Sequence, residues 1–276
     1  MDTQPKIAIC IPTILKDNGL MQSLNSILDV YQDNWVVLIG EQNNIEDYSE
    51  EKTIFYHTAC AKAHDDLHQD RFKVVKLPYD CGLSYARNKL VEKAMEIGAD
   101  YCVISADSIM FTESMKKLNE LFICFKEYDV VGLELKGRIS WEAYLDIQEA
   151  FVFDFIERHP VNALLDRYTD KQITVHTCDV IRNFFMAKTP VLASVLWDDN
   201  VKMGEHGDWF WRLKQEGFKV GFTDYCEGQY RSNIETEYKQ LRQKNLEIGK
   251  DYMKKKYNLK KWHEYIHLER VRKPNV

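Results

Sequence analysis

The sequence has no CxxC pair and no Cys/His pattern at metal-ligand spacing, and its seven cysteines are an odd number. That excludes a structural zinc and a disulfide framework, and leaves reduced thiols in a reducing compartment as the expectation. It also lacks a charged n-region with an apolar h-region, and any apolar run near the roughly 20 residues that span a bilayer. A cytoplasmic protein, at most peripheral to a membrane, is expected. An excess of positive charge is absent as well: the formal net charge is -6 at pH 7. No global attraction to nucleic acid or anionic lipid follows from that balance. Finally, neither GxGxxG nor GxxxxGK[ST] occurs, so any phosphate must be held by something other than a glycine-rich loop.

What is present is the composition of an ordinary globular chain, 276 residues with 45% hydrophobic and 29% charged side chains, long enough for a large core. Ile7 to Ile11 is an unbroken apolar run ended by Pro12-Thr13, which predicts a buried parallel strand with a turn facing a crevice. Leu20, Leu24, Ile27 and Leu28 have helical spacing, and Trp35 to Ile39 reads as a second strand followed by Glu41. Ile54 to Gln69 has a mixed helical look; His64 and His68 could chelate a metal on one face, but no third ligand is near, so the pair is discounted. Phe72 to Leu77 predicts a third strand, and Ser84 can cap a helix with Leu90, Val91, Ala94 and Met95 inward. Arg87 and Asn88 lie in its first turns. A cation is disfavoured there by the helix dipole, so Arg87 needs an anionic partner, for which a surface salt bridge is the simplest alternative. Tyr101 to Ile104 reads as a central strand with Asp107 just past its end, where ligands meet open α/β sheets. The competing reading of Asp107 is a cap for a helix beginning near Thr112. The strand-helix alternation argues for a parallel sheet covered on both faces.

The second half is less regular. Tyr128 to Leu135 predicts a strand, Trp141 to Leu165 an amphipathic helix, and Ile181 to Ala187 a strand that brings Asn183 inward. Gly204 precedes a helix whose first turn holds Glu205, His206 and Asp208, with Phe210 and Leu213 on its inner face and Gly217 as its stop. Glu205 and Asp208, three apart, project on one face near the N-terminus, where negative charge is favoured; solvated capping acids are the plainer alternative. From Glu237 onward the chain is helical, then basic and aromatic, with Tyr252, Tyr257, Trp262 and Tyr265. Packing of those aromatics on the rest of the molecule is favoured over contact with a nucleic-acid backbone.

Five words occur in a telling order: IAICIPT, GLSYARN, YCVISAD, VIRNFFMAK and WDDNVKMGEHGDWFWRLKQEG. Together they resemble nucleotide-sugar glycosyltransferases of the GT-A fold, similar to inverting family two and to the β-1,4-galactosyltransferase and ganglioside N-acetylgalactosaminyltransferase groups. The resemblance implies an α/β fold with a mixed, mostly parallel central sheet. It implies a catalytic domain over 1–232, with a nucleotide-binding half at 1–112 and an acceptor half at 113–232, and a helical extension at 233–276. It further implies transfer of a sugar from a nucleotide-diphosphate sugar to an acceptor hydroxyl, with inversion, the acceptor being a glycan or, less favoured, a modified nucleic-acid base. Donor binding then falls to Pro12, Thr13, Glu41, Arg87, Asn88, Ala106, Asp107 and Asn183, with Mn2+ or Mg2+ on Asp107. A carboxylate of the Glu205 to Asp208 turn would be the general base. Two departures stand out. Ser105 replaces the first aspartate of the metal motif, and His206 replaces the usual base. Either His206 is itself the base, or Glu205 or Asp208 takes over, or activity is lost. A non-catalytic sugar- or nucleotide-binding protein and a nucleotidyltransferase are the alternatives, although the latter requires a glycine-rich loop with a basic residue after the first strand, which Ile11 to Leu15 does not supply.

Overall fold

The apolar runs of the first half become strands. The computed structural model describes residues 4–61, 71–138, 141–156, 163–165, 172–231 and 236–268. In it β1 (Ile7–Thr13), β2 (Trp35–Glu41), β3 (Phe72–Lys76) and β4 (Tyr101–Ile104) run parallel in the order β3-β2-β1-β4. Helices α1 (Asp17–Asp29), α2 (Glu50–Ala61) and α3 (Leu83–Glu96) connect them. Every residue of β1 and β2 is buried, as unbroken apolar strands covered on both faces must be.

The second half extends the sheet with strands of mixed direction. After β5 (Ile109–Phe111) and 3₁₀ turns over Glu113–Lys126 come β6 (Val130–Lys136), β7 (Ala143–Ile147), β8 (Phe151–Phe155), β9 (Ala163–Leu165), β10 (Gln172–Thr174), β11 (His176–Cys178) and β12 (Phe185–Lys188). Then follow α4 (Thr189–Ser194), α5 (His206–Gln215), β13 (Val220–Tyr230), α6 (Thr236–Tyr257) and β14 (His263–Ile266). β12 joins β4 and β6 antiparallel, β13 lies parallel to β6, and β11 and β5 pair antiparallel with β13. One core lies under α3 and α5, where Trp209 stacks between Phe185 and Trp197 at 5.3 and 4.5 Å. The other lies under α1 and the 3₁₀ turns.

Three expectations from the sequence are corrected here. The described part of the Trp141 to Leu165 stretch, residues 141–156 and 163–165, is not a helix: β7 and β8 form an antiparallel pair, joined by β14 in a three-stranded sheet. The AYLDI segment buries Ala143 and Leu145 and exposes Tyr144 and Asp146, a period of two that overrides the helical look of the longer window. The strand expected over Ile181 to Ala187 forms only from Phe185, because Arg182 and Asn183 leave the ladder to reach a cleft. The helix expected near Thr112 is wound as 3₁₀ turns. His64 and His68 lie outside the described residues.

α6 is pressed onto the body of the protein. A Cβ at Gly249 would sit 2.0 Å from the Met203 carbonyl oxygen, so no larger residue permits this approach. Asn245 donates to Asp80 at 2.8 Å and Tyr252 to Asp198 at 3.0 Å. Among the described residues, no helix is long and apolar enough to cross a membrane.

Candidate functional site

Register places the site. β1 pairs with β4 with Cys10 opposite Ile104, so Thr13 and Asp107 each stand three residues further on, side by side at the carboxyl ends of two neighbouring strands. A cleft of about 390 Å³ opens there. Pro12, Thr13, Arg87, Ala106, Asp107, Asn183, Glu205 and His206 all line it, which brings the Asp107 carboxylate and the acidic start of α5 to one cavity.

At one wall, Asp107 is 5% exposed and both its oxygens are engaged. Thr13 donates its hydroxyl to Oδ2 at 3.0 Å, and Lys16 donates its ammonium to Oδ1 at 3.2 Å. Lys16 is buried, with its ammonium 4.3 Å from the centroid of the Tyr238 ring. Burial by itself would lower the proton affinity of this lysine, but the Asp107 carboxylate, together with Tyr238 and Tyr230, more than offsets it and holds the ammonium above its ordinary range. The loop that delivers Lys16 is fixed locally: Leu15 adopts φ 52 and its N–H donates to Asn43 Oδ1 at 2.9 Å.

Elsewhere in the cleft lining, Arg87 meets the anion that its helix position demanded. It forms a short, buried ion pair with Glu205, whose side chain is 3% exposed. Burial raises the Glu205 carboxyl, yet the adjacent guanidinium outweighs that and leaves it below its ordinary value. The Asn183 amide nitrogen donates to Glu205 Oε1 at 3.3 Å. A carboxylate only accepts, so this contact fixes the amide orientation and turns Asn183 Oδ1 toward His206 Nδ1, 3.1 Å away. In that amide orientation Nδ1 donates to Asn183 in the neutral imidazole, and the Ile181 carbonyl beside the ring favours the protonated form.

His206 is kept neutral. Burial, followed by the Arg87 and Arg182 cations, lowers its pKa to about 4, and Glu205 only partly compensates. The folded chain binds this proton less tightly than the unfolded chain, so the associated stability is complete above the unfolded value of 6.5 and is lost as pH falls toward 4. Urea unfolding at pH 7 and pH 5 should show wild type losing about 1–2 kcal/mol more than His206→Gln over that interval. Equal losses in the two proteins would contradict the assignment.

Three residues expected at the site stand outside the cleft wall. Glu41 is fully buried and its carboxylate accepts from the Asn43 N–H at 2.8 Å and the Tyr56 hydroxyl at 2.7 Å, and pairs with Lys52 at 2.6 Å. It shapes the loop after β2, and Gln42 lines the cleft in its place. Asn88 donates to the carbonyl of Trp197 at 2.8 Å and accepts from the Trp197 N–H at 2.9 Å, tying α3 to the loop before α5. Asp208 turns away: Oδ2 accepts from Arg212 at 2.8 Å, and Oδ1 from Lys256 at 2.6 Å and Tyr257 at 2.7 Å. Its role is to clamp α6 against α5. Asp208→Asn should lower stability by about 1–3 kcal/mol, because Arg212 and Lys256 lose their charged acceptor, while turnover per folded molecule stays near wild type. Denaturant midpoints and initial rates on the same preparation separate the two effects.

Sequence reasoning missed other cleft residues, namely Lys16, Arg138, Arg182, Tyr238 and Arg242. Two signals were available: Lys16 comes three residues after the strand-ending Pro12-Thr13 turn, and Arg182 adjoins Asn183 in the same motif. Tyr238 and Arg242, four apart on α6, bring the C-terminal extension into the wall.

A divalent cation does not fit the donor set at Asp107. Its oxygens are engaged by Thr13 and Lys16, Ser105 supplies no second carboxylate, and among the described residues no group of three or more His, Cys, Asp or Glu side chains could hold a metal.

No protein-family model and no curated protein matches the sequence. Solved structures do. GalNAc-T7, crystallised with UDP, GalNAc and Mn2+, is similar with a TM-score of 0.57 and 12% identity over 87% of this chain and 48% of its own. S. aureus TarS matches with a TM-score of 0.53 and 12% identity over 90% of this chain and 43% of its own. This chain thus spans about half the length of either protein. TarS 1-349 in complex with UDP-GlcNAc gives a TM-score of 0.52 at 10% identity, over 92% of this chain and 73% of its own. The likeness shows the architecture: the chain has the GT-A fold expected from its motifs.

Proposed function

We propose that the protein is a glycosyltransferase that moves a sugar from a nucleotide-diphosphate sugar to an acceptor hydroxyl with inversion. The observation that carries this reading is the convergence, in one cleft at the carboxyl ends of β1 and β4, of a cation-rich wall and the Glu205–Asn183–His206 chain. The donor diphosphate belongs at the wall of Thr13 and Lys16, and the acceptor hydroxyl at His206. There the imidazole takes the hydroxyl proton while the acceptor oxygen attacks the anomeric carbon. The bond from that carbon to the phosphate oxygen breaks, and its electron pair leaves with the nucleoside diphosphate. Glu205, through Asn183, holds the imidazole in the tautomer whose other nitrogen can accept a proton. UDP is the first nucleotide to examine, since GalNAc-T7 and TarS carry it in their structures.

The test is a thermal-shift series with UDP, GDP and CDP sugars, followed by assay of free nucleotide release. A ligand that binds only the folded state raises the midpoint. One of the donors is expected to do so, and to release nucleotide when an acceptor glycan is present. No shift with any donor would remove the transferase reading. Binding without release under any acceptor would favour a nucleotide-sugar-binding protein instead, a reading to which Ser105 at the metal motif also lends weight.

A further inference from the structure

We propose that Lys16 takes the place of a divalent cation, so that the donor diphosphate is bound and its leaving charge neutralised without metal. This rests on the transferase reading. The carboxylate at which a metal would be bound already carries a counter-ion, a buried ammonium 3.2 Å from Asp107 Oδ1, and its second oxygen accepts from Thr13. A dication brought to the same oxygens would face that ammonium at contact distance, in a site where burial weakens screening. Lys16 has little freedom to withdraw. The left-handed Leu15 and the Asn43 hydrogen bond set the loop, and the Tyr238 ring covers the ammonium.

The balance of charge points the same way. Among the described residues, five cationic side chains, Lys16, Arg87, Arg138, Arg182 and Arg242, line the cleft against two carboxylates, Asp107 and Glu205. The described lining is therefore positive by three charges with no metal counted, which suits a diphosphate. Guanidinium groups match phosphate oxygens in pairs, and an ammonium supplies a point charge that meets them singly. Asp107 then serves to position the ammonium: it holds Lys16 toward the cleft and keeps it protonated.

Isothermal titration of UDP, GDP and CDP into the full chain, in excess EDTA and in excess MnCl2 or MgCl2, tests this. The nucleotide that binds should do so with affinities equal within about twofold in all three buffers. Lys16→Met, which keeps the apolar stem, should weaken it by about tenfold or more with no recovery on adding Mn2+, and Lys16→Arg should retain metal-free binding. An affinity that collapses in EDTA and returns with Mn2+ or Mg2+ overturns the inference and leaves the transferase reading standing. So does a folded Lys16→Met protein that binds like wild type. A folded wild-type chain that binds none of the three nucleotides in any buffer overturns both.

Discussion

His206→Ala should lower kcat for sugar transfer by about 10²- to 10⁴-fold, the usual contribution of a positioned general base, while nucleotide affinity stays within about twofold of wild type. Asp208 is committed to Arg212, Lys256 and Tyr257 behind the cleft. Glu205 faces the cleft, but Arg87 and Asn183 engage its carboxylate, and a carboxyl held below its ordinary value is a poor proton acceptor. His206 is the remaining acid-base group of the α5 turn that lines the cavity, and it is neutral at pH 7 because its pKa is about 4. That value makes a weak base in the free protein. An anionic donor bound nearby favours the imidazolium, so proton affinity rises when the substrate is present. The pH profile supplies the second readout. A base must be deprotonated, so kcat/KM should fall as pH drops through about 4, and that limb should vanish in His206→Ala. A variant that keeps more than about a tenth of wild-type kcat would move the base elsewhere, with Glu205 the next candidate.

Glu205→Ala should destabilise the fold by about 3–5 kcal/mol, the cost of stranding one partner of a buried ion pair. Arg87 and Glu205 are 3% and 2% exposed, and their elements are α3 and the start of α5, 118 positions apart in sequence. Without the carboxylate the guanidinium sits among buried neighbours with no counter-charge. Arg87→Met should cost a similar amount for the mirror reason, while the double variant Arg87→Met/Glu205→Ala should recover much of the loss, since an apolar pair leaves no unpaired charge. Denaturant titration of the four proteins closes the cycle. Additive losses would mean that the pair is not coupled. The double variant should remain inactive, because Asn183 and His206 lose the anion that orders them.

Much of the site was legible because its logic is local. Asp107 at a strand's carboxyl end, the crevice-facing Pro12-Thr13 turn, and the need of Arg87 for an anion all follow from short-range patterns. The identity of that anion did not, nor did the fate of Asp208. The spacing of Glu205 and Asp208 places two acids near one helix N-terminus, but whether each meets solvent, substrate or a lysine depends on what packs above. Here α6, from the far end of the chain, covers Asp208.

Periodicity, strand order and the motif words determined the architecture on their own: apolar runs of the right length must be buried, and right-handed parallel crossovers leave few ways to do so. Tertiary structure decided who pairs with whom. Asp107 has a lysine 91 positions away in place of a second carboxylate, Arg87 meets Glu205 across 118 positions, and β8 takes β14 as a neighbour from the far end of the chain, because charge partners and edge pairing can be chosen across 90 residues or more of sequence. Local propensity carries no information over that range.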